Sequence, residues 1–319
     1  MTRALVLGCG SIGTRHARNL SALGVEVSVC DIDPRAAATL AGELRMAPVS
    51  REDARRYDLV VVATPTAQHV DDLAWALTRE ADVFVEKPLA SSRDELGRAR
   101  ALAASVGDRV VMVGCNLRFS EGYQTLAAHL PAVGSPAVLL VDYGWWLPAW
   151  HPGHDYRDQY SAQRSLGGGI VLDAIHEIDY TLELAGPAAD VRARCATSGV
   201  LDLDVEDVAD IVIAHRGGIH SHLHLDYLRR HRARSCTVIG TRAEITWDVP
   251  RGVVEIIREP GRGAEPLAVG VDAELNLQYV AEMKHMLTAM RRRVPTCNDI
   301  GRAAQSVEVA LTARDGPIA

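Results

Sequence analysis

Near its start the chain runs from an apolar stretch through a glycine cluster into an amphipathic one. Residues 2–10 read TRALVLGCG, residues 12–24 IGTRHARNLSALG and residues 25–33 VEVSVCDID. Gly8-Cys9-Gly10-Ser11-Ile12-Gly13 is a GxGxxG at the junction of a predicted strand and a predicted helix, and Asp31 closes the next predicted strand. Few folds accept this order. Gly8 permits a tight turn, Gly10 lets the backbone approach a pyrophosphate, and Gly13 lets helix and strand pack closely. The helix start at Ser11 and Ile12 then offers N–H groups and the positive end of its dipole to an anion. Asp31 can accept hydrogen bonds from both ribose hydroxyls and would repel a 2′-phosphate, so NAD is favoured. Arg35 keeps NADP open, because it can serve that phosphate if Asp31 moves aside.

The same alternation continues. Strands are expected at DLVVVATP, DVFVEKP and RVVMVGCN, with helices at PRAAATLAGEL, HVDDLAWALTRE and SRDELGRARALAASVG between them. Strands apolar at successive positions belong to a sheet covered on both faces. Repeated βα units with short links give an α/β Rossmann fold, a doubly wound parallel sheet, over residues 1–117. After Leu117 the grammar changes. Residues 137–145, 190–198, 207–215, 218–228, 234–241 and 243–249 read as successive strands. Ile219–Tyr227 alternates strictly, with His220, His222, His224 and Asp226 on one face. This pattern predicts a C-terminal α+β domain, residues 118–319, with a large and mainly antiparallel sheet, one face packed and one wet. Pro250–Pro266 reads as the most loop-like stretch, and helices are expected over 275–292 and 299–313.

Composition narrows the partners. A net charge of −7 gives no electrostatic case for nucleic acid or an anionic membrane surface. No stretch approaches the ~20 apolar residues of a membrane span. Six scattered cysteines without a CxxC pair, and an N-terminus that reads as a strand, favour a reducing cytoplasm. His220, His222 and His224 are spaced at roughly 7 Å along their strand, too far apart for one tetrahedral centre, so no metal is expected. A wet sheet face covered by another subunit suits them better, which points to a homodimer or homotetramer through the C-terminal sheet.

Ligands of doubly wound sheets bind beyond the carboxyl ends of the strands. Thr64, Pro65 and His69 follow one such end, and Glu86-Lys87-Pro88 another. All but Pro88 are assigned to the cofactor. Further along, GGGIVLDAIHEIDY sets Asp173, His176 and Tyr180 beside an apolar stripe of Leu172, Ile175, Ile178 and Leu182 on one expected helix. That polar stripe faces either water or a substrate. Just before it lie Trp145, Trp146, Trp150, Tyr156, Arg157 and Tyr160, aromatic faces and donors of the kind a sugar needs. Arg118, Trp146, Arg157 and Tyr160 are taken as substrate contacts, with Arg157 able to hold a carboxylate or phosphate in bidentate fashion.

In this order, GCGSIGTRHARNL, VATPTAQH, FVEKPLA, CNLRFS and GGGIVLDAIHEIDY resemble the glucose–fructose oxidoreductase/inositol dehydrogenase/MocA family, and the likeness covers nearly the whole chain. The resemblance implies hydride transfer between a nicotinamide cofactor and a secondary alcohol or ketone of a sugar, nucleotide sugar or cyclitol. It implies that Lys87 is the catalytic lysine, Asp173 the substrate-orienting carboxylate and His176 the acid/base. One departure is visible: the family often places a proline shortly after its RF dipeptide, whereas Arg118-Phe119 here leads into Ser120-Glu121-Gly122. A redox-neutral glycosidase or epimerase working through transient oxidation would use the same parts. A nucleotide-binding regulator without catalysis would keep only the first half of them.

Overall fold

A computed structural model describes residues 2–46, 48–52 and 56–316. The chain divides into two compact units, Met1–Cys115 with Tyr279–Ala304, and Asn116–Gln278 with Gln305–Ala319. The sequence places a single boundary at 117, whereas the first unit also takes in a late stretch of chain.

The first unit runs β1 (Arg3–Leu7), α1 (Ser11–Ala22), β2 (Glu26–Cys30), α2 (Pro34–Glu43), β3 (Leu59–Val62), α3 (His69–Leu77), β4 (Asp82–Val85), α4 (Arg93–Ala103) and β5 (Val111–Val113). The strands form a parallel sheet in the order β2-β1-β3-β4-β5. A single parallel bridge from Val29 to Pro48 adds a vestigial strand outside β2. Every residue of β3 and β4 is buried, as the apolar runs LVVV and VFV require, and the buried Asp82 that opens β4 accepts the Val110 N–H at 2.7 Å. Burying one such valine or leucine contributes about 1.5–3 kcal/mol. The chain reverses direction of travel across the sheet between β1 and β3, so the loops after these strands open at a topological switch point.

The second unit begins with α5 (Glu121–Val133) and β6 (Pro136–Gly144). Next come the short helix α6 (Ile170–Asp173), α7 (Ile175–Ala185) and strands β7 (Ala188–Ala196), β8 (Val208–His215), β9 (His220–Asp226), β10 (Ala233–Gly240), β11 (Glu244–Asp248), β12 (Val253–Ile257) and β13 (Glu265–Val269). Of two later helices, most of α8 (Leu275–Arg292) belongs to the first unit and most of α9 (Ile300–Asp315) to the second. The eight strands order as β13-β12-β11-β10-β6-β9-β8-β7, antiparallel at every step except β6–β9. On β9, Ser221, Leu223 and Leu225 are buried while His220 and His222 are exposed, the alternation read from the sequence.

One expectation fails here. Pro250–Pro266 is no loop: Val253–Ile257 and part of Glu265–Val269 lie within it and extend the sheet. The glycines and prolines around VVEII mark the turns between short strands rather than an unstructured segment. The Ser120-Glu121-Gly122 departure also has a structural cause. Ser120 caps α5 by accepting the Tyr123 N–H at 3.1 Å. A Cβ on Gly122 would lie 2.1 Å from Trp247 Nε1, so glycine makes room for a fully buried tryptophan.

Candidate active site

The glycine turn packs closely on the helix that follows it. A Cβ on Gly13 would stand 1.9 Å from the Gly8 carbonyl oxygen, so only glycine lets α1 pack on the turn. Gly10, the N-cap of α1, has nothing within 4 Å of its missing Cβ, which leaves the approach to the helix start open. Asp31 is fixed by the N–H groups of Cys9 at 2.6 Å and Asp33 at 2.8 Å. Burial and the neighbouring Asp31 push the Cys9 thiol up to about 12, so it remains a neutral group in the turn. Arg35 donates its backbone N–H to Asp33 at 2.9 Å and its side chain is exposed. Ile32 is 99% exposed beside Asp31. The sequence reading passes over Ile32, an exposed apolar residue directly after the acid that follows β2.

Two buried histidines hold the chain on either side of Lys87. His16, on α1, places Nε2 2.6 Å from Glu86 Oε1, and Glu86 Oε2 accepts the Lys87 N–H at 3.1 Å. Burial would raise the Glu86 pKa; the hydrogen bond from His16, the Lys87 charge and its N–H outweigh that and hold it below the ordinary carboxylate range. His69, at the start of α3, sets Nδ1 2.7 Å from the Pro88 carbonyl and Nε2 2.8 Å from the Thr64 carbonyl. His69 is therefore a strap between two loops rather than a surface for the cofactor. Burial of the ring pushes the His69 pKa down, against the two carbonyl acceptors, which favour the doubly protonated form. Thr64 is held in turn by Asp72, at 2.7 Å from its hydroxyl. Pro65 caps the 3-10 turn Thr66–Gln68.

His16, Glu86 and Glu282 form a buried trio whose ligand atoms all lie within 4.8 Å of one another, a cluster the sequence does not reveal. The 2.6 Å contact between His16 and Glu86 is a hydrogen-bond distance, whereas two ligands on one ion stand roughly 3 Å or more apart. Glu282 also accepts the Cys115 N–H at 2.6 Å. The His16–Glu86 pair is the hydrogen-bonded support of the Glu86-Lys87 turn, with Glu282 buried beside it.

In the second unit the glycine run does its work through contact. A Cβ on Gly168 would lie 2.3 Å from the Tyr160 carbonyl oxygen, and one on Gly169, at φ +109°, would lie 2.3 Å from Glu206 Oε1. Glu206 is buried, which raises its pKa toward the neutral acid, and it accepts the Val171 N–H at 3.3 Å. The expected single helix is broken: α6 ends at Asp173, Ala174 adopts φ −89° and ψ 28°, and α7 restarts at Ile175. Asp173 and His176 thus stand on successive helices rather than one turn apart on a continuous one. Both are buried. The Asp173 carboxylate accepts the Tyr160 hydroxyl on one oxygen and the Tyr227 hydroxyl, at 2.9 Å, on the other. Burial and the Asp173 charge hold the Tyr227 phenol protonated, so it remains a donor. Tyr227 was missed because its place in the β9 alternation reads as core.

Tyr180 leaves the expected polar stripe. It is 1% exposed and packs against Tyr123 and Trp247 at ring separations of 6.2 and 5.8 Å. Arg118 braces α7: it meets Asp179 through Nε at 2.6 Å and Nη2 at 2.9 Å, and Glu183 at 3.0 Å. Arg157 closes on its near neighbour Asp155 at 2.9 Å on an exposed turn. Trp146 carries the Arg230 guanidinium 3.2 Å above its ring. On the sheet's open face His224 lies 2.7 Å from Asp210 and 3.2 Å from Asp226, so the strand histidines are drawn to carboxylates.

The comparisons with known proteins follow this geometry. A model described as an oxidoreductase family with an NAD-binding Rossmann fold matches residues 2–115, and one described as the GFO/IDH/MocA C-terminal domain matches residues 131–246. An inositol 2-dehydrogenase of Acidothermus cellulolyticus is 36% identical over 143 residues, so the chain spans 42% of that relative's length. A UDP-N-acetylglucosamine 3-dehydrogenase of Acidithiobacillus ferrooxidans is 28% identical over 98% of this chain and 97% of its own. Among solved structures, an oxidoreductase from Agrobacterium radiobacter in complex with NAD+, L-tartaric acid and magnesium superposes with a TM-score of 0.84. It is 19% identical and the match covers 99% of this chain and 96% of that one.

Proposed function

The chain belongs to the Gfo/Idh/MocA family of NAD-binding oxidoreductases, and from that premise we propose that it transfers a hydride between NAD and a secondary alcohol or ketone of a sugar, nucleotide sugar or cyclitol. The observation that carries this reading is the support given to each reactive group. Glu86 and Pro88 are held on both sides of Lys87, and two tyrosine hydroxyls fix Asp173.

When bound, the nicotinamide accepts the hydride; the protein's part is to bind, orient and move a proton. His176 takes the hydroxyl proton, a task its imidazole suits near neutral pH. Lys87 donates to a substrate oxygen and stabilises its developing charge. Asp173 accepts a neighbouring hydroxyl, its own orientation set by Tyr160 and Tyr227. Asp31 would hold the adenosine ribose of a bound cofactor, and Ile32 would offer its apolar side chain to the adenine. The fixed position of Asp31 supports NAD over NADP.

The oligomer belongs to the same proposal. Leu140 and Val212 are 45% and 38% exposed on the open face of the large sheet, which supports burial of that face against a second copy. No helix among the described residues is long and apolar enough to cross a membrane, and we place the enzyme in the cytoplasm. The test is to follow absorbance of reduced cofactor with NAD+ or NADP+ and a panel of inositols, sugars and nucleotide sugars. Accumulation of NADH with turnover supports the dehydrogenase, while product formation without NADH makes the enzyme redox-neutral.

A further inference from the structure

We propose that Arg230, seated on Trp146, is an anion-binding arm of the substrate site, and that the sugar oxidised carries a phosphate ester. This rests on the dehydrogenase reading above and narrows its substrate.

Residues 227–234 read YLRRHRAR, a concentration of positive charge in a chain of net charge −7. Its arginines are used differently. Arg229 pairs with Asp142 and, through Nε at 3.0 Å, with Asp226. Arg234 is buried against Glu177 at 2.7 Å. Arg230 makes no ion pair with a carboxylate among the described residues and lies exposed, 3.2 Å above the Trp146 ring. Stacking occupies the face of a guanidinium and leaves its N–H edge for a planar, bidentate acceptor. Guanidinium groups donate and never accept, so this arm selects for an anion rather than for neutral hydroxyls.

The segment that carries the arm is tied to the Asp173 carboxylate through Trp145, the chain neighbour of Trp146. Trp145 N–H donates to the Asp226 carbonyl at 3.2 Å, and Leu147 N–H to the Tyr227 carbonyl at 3.0 Å, which zips the tryptophan segment to the start of the arginine segment. Trp145 stacks on Trp150 at 5.7 Å, Trp150 meets Tyr227 edge-on at 5.4 Å, and Tyr227 bonds Asp173. Arg232 sits over Trp145 at 5.5 Å, adding charge to the same wall. Arg157, the residue the sequence offers for an anion, is neutralised by Asp155 instead.

The test measures binding and turnover separately on the NAD+-loaded protein, with wild type, Arg230→Gln and Arg230→Lys. Turnover is compared for a neutral hexose, its 1-phosphate, its nucleoside diphosphate derivative and the matching hexuronate. Calorimetry follows uridine diphosphate and inorganic phosphate. The expected result is a KM at least tenfold lower for a phosphate-bearing sugar than for the neutral one. Arg230→Gln should raise that KM at least tenfold, Arg230→Lys should recover part of it, and the Kd for NAD+ should hold in both. Preference for the 1-phosphate or for the nucleotide derivative identifies the source of the phosphate. Equal KM values for neutral and phosphorylated sugars, preference for the hexuronate, or an Arg230→Gln protein with unaltered KM overturns the proposal. Arg230-dependent binding of uridine diphosphate or phosphate without NAD+ reduction by any sugar would keep the subsite and remove the dehydrogenase.

Discussion

Glu86 joins His16 to Lys87: one carboxylate oxygen lies 2.6 Å from His16 Nε2 and the other accepts the Lys87 N–H at 3.1 Å. His16 rises from the glycine turn and Lys87 follows β4, so one buried acid fixes the lysine turn relative to the glycine turn.

His16→Ala removes the partner of a buried carboxylate. A loss of about 3–5 kcal/mol is expected from breaking such a pair. His16→Gln, which keeps a donor, should retain most of the stability. Of the variants that fold, kcat should fall by about tenfold or more as Lys87 loses its orientation. Denaturant melts and steady-state kinetics check both, and a His16→Ala protein as stable and active as wild type would contradict the role.

Tyr227→Phe deletes one hydroxyl from Asp173 and keeps the ring against Trp150. A hydrogen bond to a charged group contributes about 1.5–3 kcal/mol to stability, so the melting temperature should fall by several degrees and, as Asp173 loses its orientation, kcat/KM should drop by roughly tenfold or more. An unchanged kcat/KM would show that Tyr160 alone orients the acid.

Asp31→Ser should relax the preference for NAD over NADP, since it removes the charge that opposes a 2′-phosphate. The ratio of kcat/KM values for the two cofactors measures this, and an unaltered ratio would move the determinant elsewhere. Ile32→Ala should raise the KM for NAD without lowering kcat.

Acid should destabilise the fold in two windows. The His69 pKa lies below its ordinary value of 6.5, so its contribution is present above 6.5 and is lost as pH falls through the folded value. Glu86 lies below its ordinary 4.5, so its contribution is present above 4.5 and is lost further down. The melting temperature of His69→Gln should therefore change less between pH 7 and pH 5.5 than that of the wild type, and an equal change would show that His69 does not titrate in the upper window.

The residues that were legible from sequence are those whose chemistry is local. Gly8, Gly13 and Asp31 announce a turn because spacing along the chain sets their task, and the βα alternation follows from strands buried on both faces. Groups acting through distant partners were hidden. His16 reads as one more helix residue until Glu86, in another element, is placed against it. Tyr227 sits on the packed face of an alternating strand, where nothing local separates a core phenol from one that bonds Asp173. The break at Ala174 was also invisible: the apolar stripe from Leu172 to Ile178 fits a continuous helix, and the contact between Gly169 and Glu206 that accompanies its start spans distant residues. β12 and β13 were lost because the turn residues around them outnumber the apolar ones.

The central claim is that His176 moves the proton of an alcohol oxidised by NAD. The direct measurement is the kcat of His176→Ala on a sugar that reduces NAD+, taken together with the Kd of that variant for NAD+. The account predicts a kcat lowered by about 100-fold or more at an NAD+ affinity within about twofold of wild type. Parallel losses in both, or full activity without the imidazole, would contradict it.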